Sequence, residues 1–194
     1  MNNHDFHPLT PNNVVAFLQD IFDRRGGEEY LGEPVTMAQH MLQSAHLAEL
    51  ANESEVTIVA ALLHDIGHFT SEFGTFSMTD TEDRFHEEAG AEVLKPFFPS
   101  LVIDCVYHHV SAKRYLCAID SGYFQQLSDA SVHSLHLQGG PMTPLEVQSF
   151  EQQENLKDIV KIRQFDDAAK VANLETNSFA DYAPMVQRVV DSVD

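Results

Sequence analysis

The residues with the most chemistry in them stand at the end of an apolar stretch, where Ile58 to Leu63 runs into His64-Asp65-Ile66-Gly67-His68. Successive side chains on a helix point about 100° apart, so an ion off the end of that helix can take a His64 nitrogen and an Asp65 oxygen together. Gly67 lets the backbone turn away directly afterwards. A single His-Asp pair arises easily by chance in a chain with 11 histidines and 30 acidic residues. The wider set carries more weight. His40 on the preceding predicted helix, His86, His108-His109, and Asp166-Asp167 on a late helix add nitrogen and oxygen donors without sulfur. Iron, manganese, nickel and zinc all accept such donors, so the set points to a metal without naming it. Any one histidine has a plainer reading as a core or exposed side chain, and His4, His7, His46, His133 and His136 are read that way.

Three groups that can carry positive charge stand within four residues of these donors. His68 follows His64 by four, Lys113 follows His109 by four, and Arg163 precedes Asp166 by three. On helices such spacings share a face, so all three could converge on the metal pocket. Lys and Arg number 11 against 30 Asp and Glu, a net charge of −19, and cations gathered inside so acidic a chain imply an anionic ligand. Arg163 could instead pair with Asp167 at i+4, whereas Lys113 has no acid three or four residues away. Ser131 and Ser134, one turn apart near a helix start, offer hydroxyls and free N–H groups to phosphate-like oxygens, or are simple helix-start residues. An anion beside a metal first suggests phosphoester hydrolysis, in which the ion polarises phosphoryl oxygen and generates hydroxide.

The elements that must hold these residues are helices, because the apolar period is helical almost throughout and strand signals are weak. Thr10-Pro11 precedes a stripe of Val14, Val15, Leu18, Ile21 and Phe22 that stops at Gly26-Gly27. A second helix opens at Pro34 and carries His40 beside Met41. Ser54 caps a third, Glu55 to about Asp65, with Ile58, Ala61 and Leu62 as its core side. Ile66 to about Asp83, rich in Gly, Thr and Ser, reads as a loop. Further helices are expected from about Arg84 to Leu94, from Pro99 to about Val110, from Ser128 to near Gly139, from Thr143-Pro144, from Asn155 to about Lys170, and from about Phe179 to Val193. Residues 111–116 have no clear conformation. The expected fold is all-α.

Length and charge narrow the rest. With 194 residues, 43% of them hydrophobic, the chain suits one domain. Its negative field repels phosphate backbones and anionic lipid, which argues against nucleic-acid and membrane-surface partners. No apolar run approaches the ~20 residues of a membrane helix, so a cytoplasmic protein is expected. Cys105 and Cys117 lack metal or disulfide spacing and read as packing residues. The oligomeric state stays open.

The ordered set of His40, His64-Asp65 and Asp166 resembles the HD-domain superfamily, with its H…HD…D pattern on a helical core. The resemblance implies one metal held by His40, His64, Asp65 and Asp166. His86 and His109 match the version with two metals, in which Asp65 bridges both ions; His108 and Asp167 would then orient their neighbours. Three further segments narrow the likeness: Tyr30-Leu31-Gly32-Glu33, His109-Val110-Ser111-Ala112-Lys113-Arg114-Tyr115-Leu116, and Gln138-Gly139-Gly140-Pro141-Met142. With the ligands, they resemble the mixed-valent di-iron HD oxygenases that cleave 1-hydroxyphosphonates, the PhnZ and TmpB type. That family implies a single HD domain over residues 1–194, a helical bundle around a dinuclear site with an N-terminal helix and a lid segment near residues 28–34. It implies two iron ions, Fe(II) and Fe(III), with O2 as co-substrate and an organophosphonate as the small-molecule partner. His68, Lys113, Ser131, Ser134 and Arg163 would hold the phosphonate. Tyr30 would occupy an iron position until substrate displaces it, and Glu33 would face the substrate's cationic end. The expected reaction takes (1R)-1-hydroxy-2-(trimethylammonio)ethylphosphonate to glycine betaine and phosphate, or the 2-amino analogue to glycine and phosphate. Phe69, Phe73 and Phe76 could meet a quaternary ammonium by cation–π attraction or anchor their loop in the core. The bare HD set leaves two alternatives, a metal-dependent phosphohydrolase of nucleotides or other esters and a noncatalytic anion sensor.

Overall fold

A helix that is apolar on every side has to be interior, and α3 (Glu55–Leu63) is buried at every position from Thr57 to Leu63. The computed structural model describes residues 8–30, 32–70 and 81–193. His4, His7, Leu31, Phe73 and Phe76 lie outside the described residues. Around α3 pack α2 (Met37–Leu50), α6 (Ser100–Ile119), α9 (Leu156–Ala168) and α10 (Phe179–Asp191). α1 (Val14–Arg25) lies on α10, where the Phe22 and Phe179 rings meet with centroids 4.6 Å apart. α4 (Gly67–Thr70) follows α3 and packs on α5 (His86–Leu94), α8 (Pro144–Phe150) packs on α6, and α7 (Asp129–Leu137) is tied to α6 by the Lys113–Ser134 hydrogen bond. Among the described residues no strand forms, the one extended contact being an isolated bridge between Glu29 and Thr36. No helix among them is long and apolar enough to cross a membrane. One set of buried apolar side chains runs from Val14 to Val190.

Local chemistry sets most of the helix starts. Ser54, Ser128 and Thr143 accept from the N–H groups of Thr57, Ser131 and Glu146. α2 begins later than Pro34 suggests, because Thr36 and Gln39 form a reciprocal capping box. α6 is one unbroken 20-residue helix, so the segment after Val110 continues it, and His109 and Lys113 stand one turn apart on its buried side. α3 is buried all round rather than on the Ile58, Ala61, Leu62 side alone.

The loop expected from Ile66 onwards begins instead with a helical turn, and Gly67 is there for a different reason than a change of direction. A Cβ on Gly67 would sit 1.7 Å from the His86 carbonyl oxygen, and one on Gly90 would sit 3.1 Å from the Gly67 nitrogen. Two glycines therefore let α4 and α5 touch backbone to backbone, which brings His86 to the end of α3. Replacing Gly67 by Ala forces backbone apart and should cost about 1–3 kcal/mol. In a thermal melt that is a loss of roughly 3–10 °C, whereas Gly27→Ala, which meets nothing within 4 Å, should leave the midpoint unchanged.

Candidate functional site

Five helices deliver the six expected donors to one buried place. α2 supplies His40, the end of α3 supplies His64 and Asp65, α5 opens with His86, α6 carries His109, and α9 carries Asp166. All are buried except His86, whose side chain is 12% exposed. Their order follows from backbone contacts. The Nδ1 atoms of His64 and His109 lie 2.8 and 2.7 Å from the carbonyls of Ala61 and Val106, one turn back on their own helices. His40 Nδ1 reaches the Ala169 carbonyl at the end of α9, 3.0 Å away. A carbonyl only accepts, so each of these Nδ1 atoms carries the hydrogen and each Nε2 presents a lone pair.

Those lone pairs face one another. His40 Nε2 is 3.1 Å from His64 Nε2, and His86 Nε2 is 3.0 Å from His109 Nε2. The Asp65 carboxylate lies between the two pairs. Its Oδ2 is 3.4 Å from His40 and 3.5 Å from His64, while Oδ1 is 3.4 Å from His86 and 3.2 Å from His109. Asp65 Oδ2 is buried without a hydrogen-bond partner. Facing lone pairs repel unless a cation or proton lies between them. Two nitrogens bound about 2.1 Å from one ion at right angles stand about 3.0 Å apart, so each pair fits a first-row metal ion. Asp166 closes the first group, with Oδ1 3.4 Å from His40 Nε2.

Titration follows the same geometry. Burial opposes charge on His40, yet the Asp166 and Asp65 carboxylates hold it up at about 9, while burial pushes His64 down to about 4. Burial also opposes ionisation of Asp65, but the imidazoles of His64, His109, His40 and His86 around it hold its carboxyl well below the usual range. His86 differs from the other three imidazoles, since its Nδ1 faces the Glu87 carboxylate at 3.4 Å rather than a carbonyl.

A partly open cavity lies beside this cluster, and Tyr30, Glu33, His68, Lys113, Ser131, Ser134 and Arg163 all line it. Lys113 is buried, donates to Ser134 Oγ at 2.7 Å, and is brought down to about 7 by burial and the nearby Arg163. Arg163 is already occupied. Its guanidinium pairs with Asp166 at 2.7 Å and with Asp167, and donates to the Tyr123 hydroxyl at 3.1 Å. The pairing with Asp167 is therefore real, and Asp167 orients Arg163, with Tyr123 donating to the same carboxylate. His68 meets the cavity as a neutral ring, because burial and the neighbouring His86 hold it well below its ordinary value. It stacks on His86 with centroids 4.0 Å apart and faces Asp65 Oδ1 at 3.8 Å, so the second group has three imidazoles around one oxygen.

The segment near residues 28–34 is a tight turn. Glu33 N–H closes on the Tyr30 carbonyl at 2.8 Å, and Gly32 takes the left-handed conformation there, φ +71°. The turn lays the Tyr30 ring on His40, centroids 4.0 Å apart and nearly parallel. Burial, with the Asp65 and Asp166 charges, pushes the phenol well above its ordinary value. His108 does not orient His109; it packs edge-on to Phe150 and Tyr107. Phe69 is buried under the Arg25 guanidinium and is a core side chain rather than part of the cavity lining. Lys170 and Gln138, which also line the cavity, were not singled out by spacing to the donors, although Lys170 follows Asp166 by four as Lys113 follows His109. Glu87 gives no signal beyond adjacency to His86.

Comparison with known proteins agrees with this geometry. Residues 37–149 match the HD domain family. A 1-hydroxy-2-(trimethylamino)ethylphosphonate dioxygenase (glycine-betaine-forming) of Leisingera caerulea is 62% identical over 191 residues, covering 98% of this chain and 97% of that protein. A hydroxymethylphosphonate dioxygenase of Gimesia maris is 40% identical, covering 94% of this chain and 90% of its own. An uncharacterized protein of Acanthamoeba polyphaga mimivirus is 32% identical over 82% of this chain and 77% of its own. The helical core, the paired imidazoles on Asp65 and this likeness over nearly the whole length lead to one conclusion: the chain belongs to the HD-domain family and, within it, to the group that holds these phosphonate dioxygenases.

Proposed function

We propose that the protein is an O2-dependent di-iron dioxygenase that cleaves the carbon–phosphorus bond of 1-hydroxy-2-(trimethylammonio)ethylphosphonate, yielding glycine betaine and phosphate. The observation that carries this reading is Asp65, one oxygen toward each imidazole pair, beside a cavity with buried ammonium groups. His40, His64, Asp65 and Asp166 would hold one iron and His86, His109 and Asp65 the other, as Fe(II) and Fe(III). Bound there, the iron pair would supply the electrons and open coordination positions that oxygen chemistry needs. In the overall change R–CH(OH)–PO3²⁻ and O2 become R–COO⁻, HPO4²⁻ and a proton; the C–P bond breaks and both oxygen atoms are consumed.

The chain's own part is binding and exclusion. Lys113 and the Ser131 and Ser134 hydroxyls would take phosphonate oxygens, with His68 offering a neutral N–H. Arg163 would act through Asp166 and Asp167, fixing the carboxylate that completes the first metal group, rather than as a free cation. Tyr30 and Glu33 would form a lid: the turn of residues 28–34 lays the phenol over His40 and brings a carboxylate to face the substrate's cation. Closing that lid keeps water from the reacting carbon.

Three outcomes follow. With iron loaded, oxygen uptake and phosphate release should occur in equal amounts; phosphate released under nitrogen would assign the site to phosphoester hydrolysis instead. Asp65→Ala should remove both metal ions by elemental analysis, because one carboxylate serves both groups, whereas His109→Ala should spare the ion held by His40 and His64. Lys113 loses its proton as pH rises through about 7, and anion binding that needs the ammonium should weaken by up to about tenfold per pH unit above that. Lys113→Arg stays charged and should flatten the rise in KM measured at increasing pH.

A further inference from the structure

Lys170 stands where two opposite requirements of the cavity meet. It lies one residue beyond Ala169, whose carbonyl holds the His40 ring, so its backbone is tied to the donor cluster. Its side chain crosses to α7 and donates to Ser131 Oγ at 3.0 Å and to Ser128 Oγ at 3.4 Å. On its other side Nζ is 3.4 Å from Glu33 Oε1 and 5.9 Å from the centre of the Tyr30 ring. Glu33 Oε1 is buried and receives no hydrogen bond. The contact is thus Coulombic attraction alone, and a desolvated carboxylate oxygen held only that way gains from any better cation.

The serines supply the other half. Lys113 donates to Ser134 and Lys170 to Ser131, one turn apart on α7, so the two ammonium groups converge on adjacent hydroxyls. A phosphonate has three oxygens and two negative charges, enough for both. Arg163 is held by Asp166, Asp167 and Tyr123 and brings less uncompensated charge.

We propose that Lys170 is a further substrate-binding residue, and that a zwitterionic phosphonate binds by inserting into the Lys170–Glu33 ion pair. The substrate's ammonium takes Glu33 and its phosphonate takes Lys170 together with Ser131. Each partner exchanges one counter-ion for another, so no buried charge is stranded. A phosphonate without a cation draws Lys170 away and leaves Glu33 alone, which is how the pair selects for a positively charged substrate. The proposal rests on the phosphonate reading above.

The test is calorimetry under nitrogen on metal-loaded protein, where binding is read without turnover. The ligands are the trimethylammonium hydroxyethylphosphonate and uncharged-tail hydroxymethylphosphonate. Lys170→Gln should raise Kd for both by about tenfold or more, the loss of one charge-assisted hydrogen bond, with unchanged metal content. Lys170→Arg should recover most of that loss. Glu33→Gln should change the two in opposite directions: several-fold weaker for the trimethylammonium ligand and tighter for hydroxymethylphosphonate, because Lys170 is released. In the double variant Lys170→Gln/Glu33→Gln the tightening should vanish. Kd values unmoved by Lys170→Gln, or both ligands weakened by Glu33→Gln, overturn the proposal. The expected pattern across the variants, with wild-type protein that takes up no oxygen, leaves this proposal standing and refutes the dioxygenase reading; wild-type protein that binds neither ligand overturns this proposal whatever the oxygen electrode reads.

Discussion

The structure turns on one carboxylate. Asp65 holds two imidazole nitrogens against each of its oxygens, at 3.2–3.5 Å, in a buried place where neither lone pairs nor negative charge can be left uncompensated. Such an arrangement is costly for the protein alone and favourable around cations, because metal ions supply the positive charge that the facing nitrogens and the carboxylate all require. Local binding energy of that kind is also folding energy, since the donors come from five helices and meet only in the folded chain.

Everything that carries a donor is fastened to α3 or to something touching it. α3 is buried on all sides, so its end is fixed from every direction, and His64 and Asp65 inherit that rigidity. Gly67 and Gly90 permit the close approach of α4 and α5 that aims His86 at Asp65. On α6 the unbroken helix carries His109 and Lys113 one turn apart, the first against Asp65 and the second against Ser134. The Arg114 guanidinium, bonded to the Gly140 carbonyl and Glu146, ties the segment after α7 back to α6, which sets the distance between the lysines and the serines.

The electrostatics invert the outside of the molecule. A chain of charge −19 keeps Lys113, Arg163 and Lys170 around one cavity, which the acids Asp65 and Asp166 also line. Asp166 and Asp167 anchor Arg163, while the two lysines donate to serine hydroxyls of α7. Glu33 faces Lys170 at the turn of residues 28–34, 3.4 Å away, so the cavity holds charge of both signs.

The kinds of donor, the helical class, most helix starts and the pairing of Lys113 with His109 were legible in the residues themselves. Caps such as Ser54 and Thr143, the i−3 carbonyls behind His64 and His109, and i+4 spacings all act within one or two turns, the range over which sequence determines geometry. What needed the tertiary structure acts across helices. Gly67 is required by the His86 carbonyl, not by its own backbone direction; His68 is neutral because packing strips it of water; Arg163, besides the acids one turn along its own helix, meets Tyr123 from another segment; and Lys170 meets Glu33 only because α9 ends beside the turn after α1. A chain carries its spacings from the start, but burial and charge compensation depend on which surfaces come together, and those are decided when α3 is enclosed.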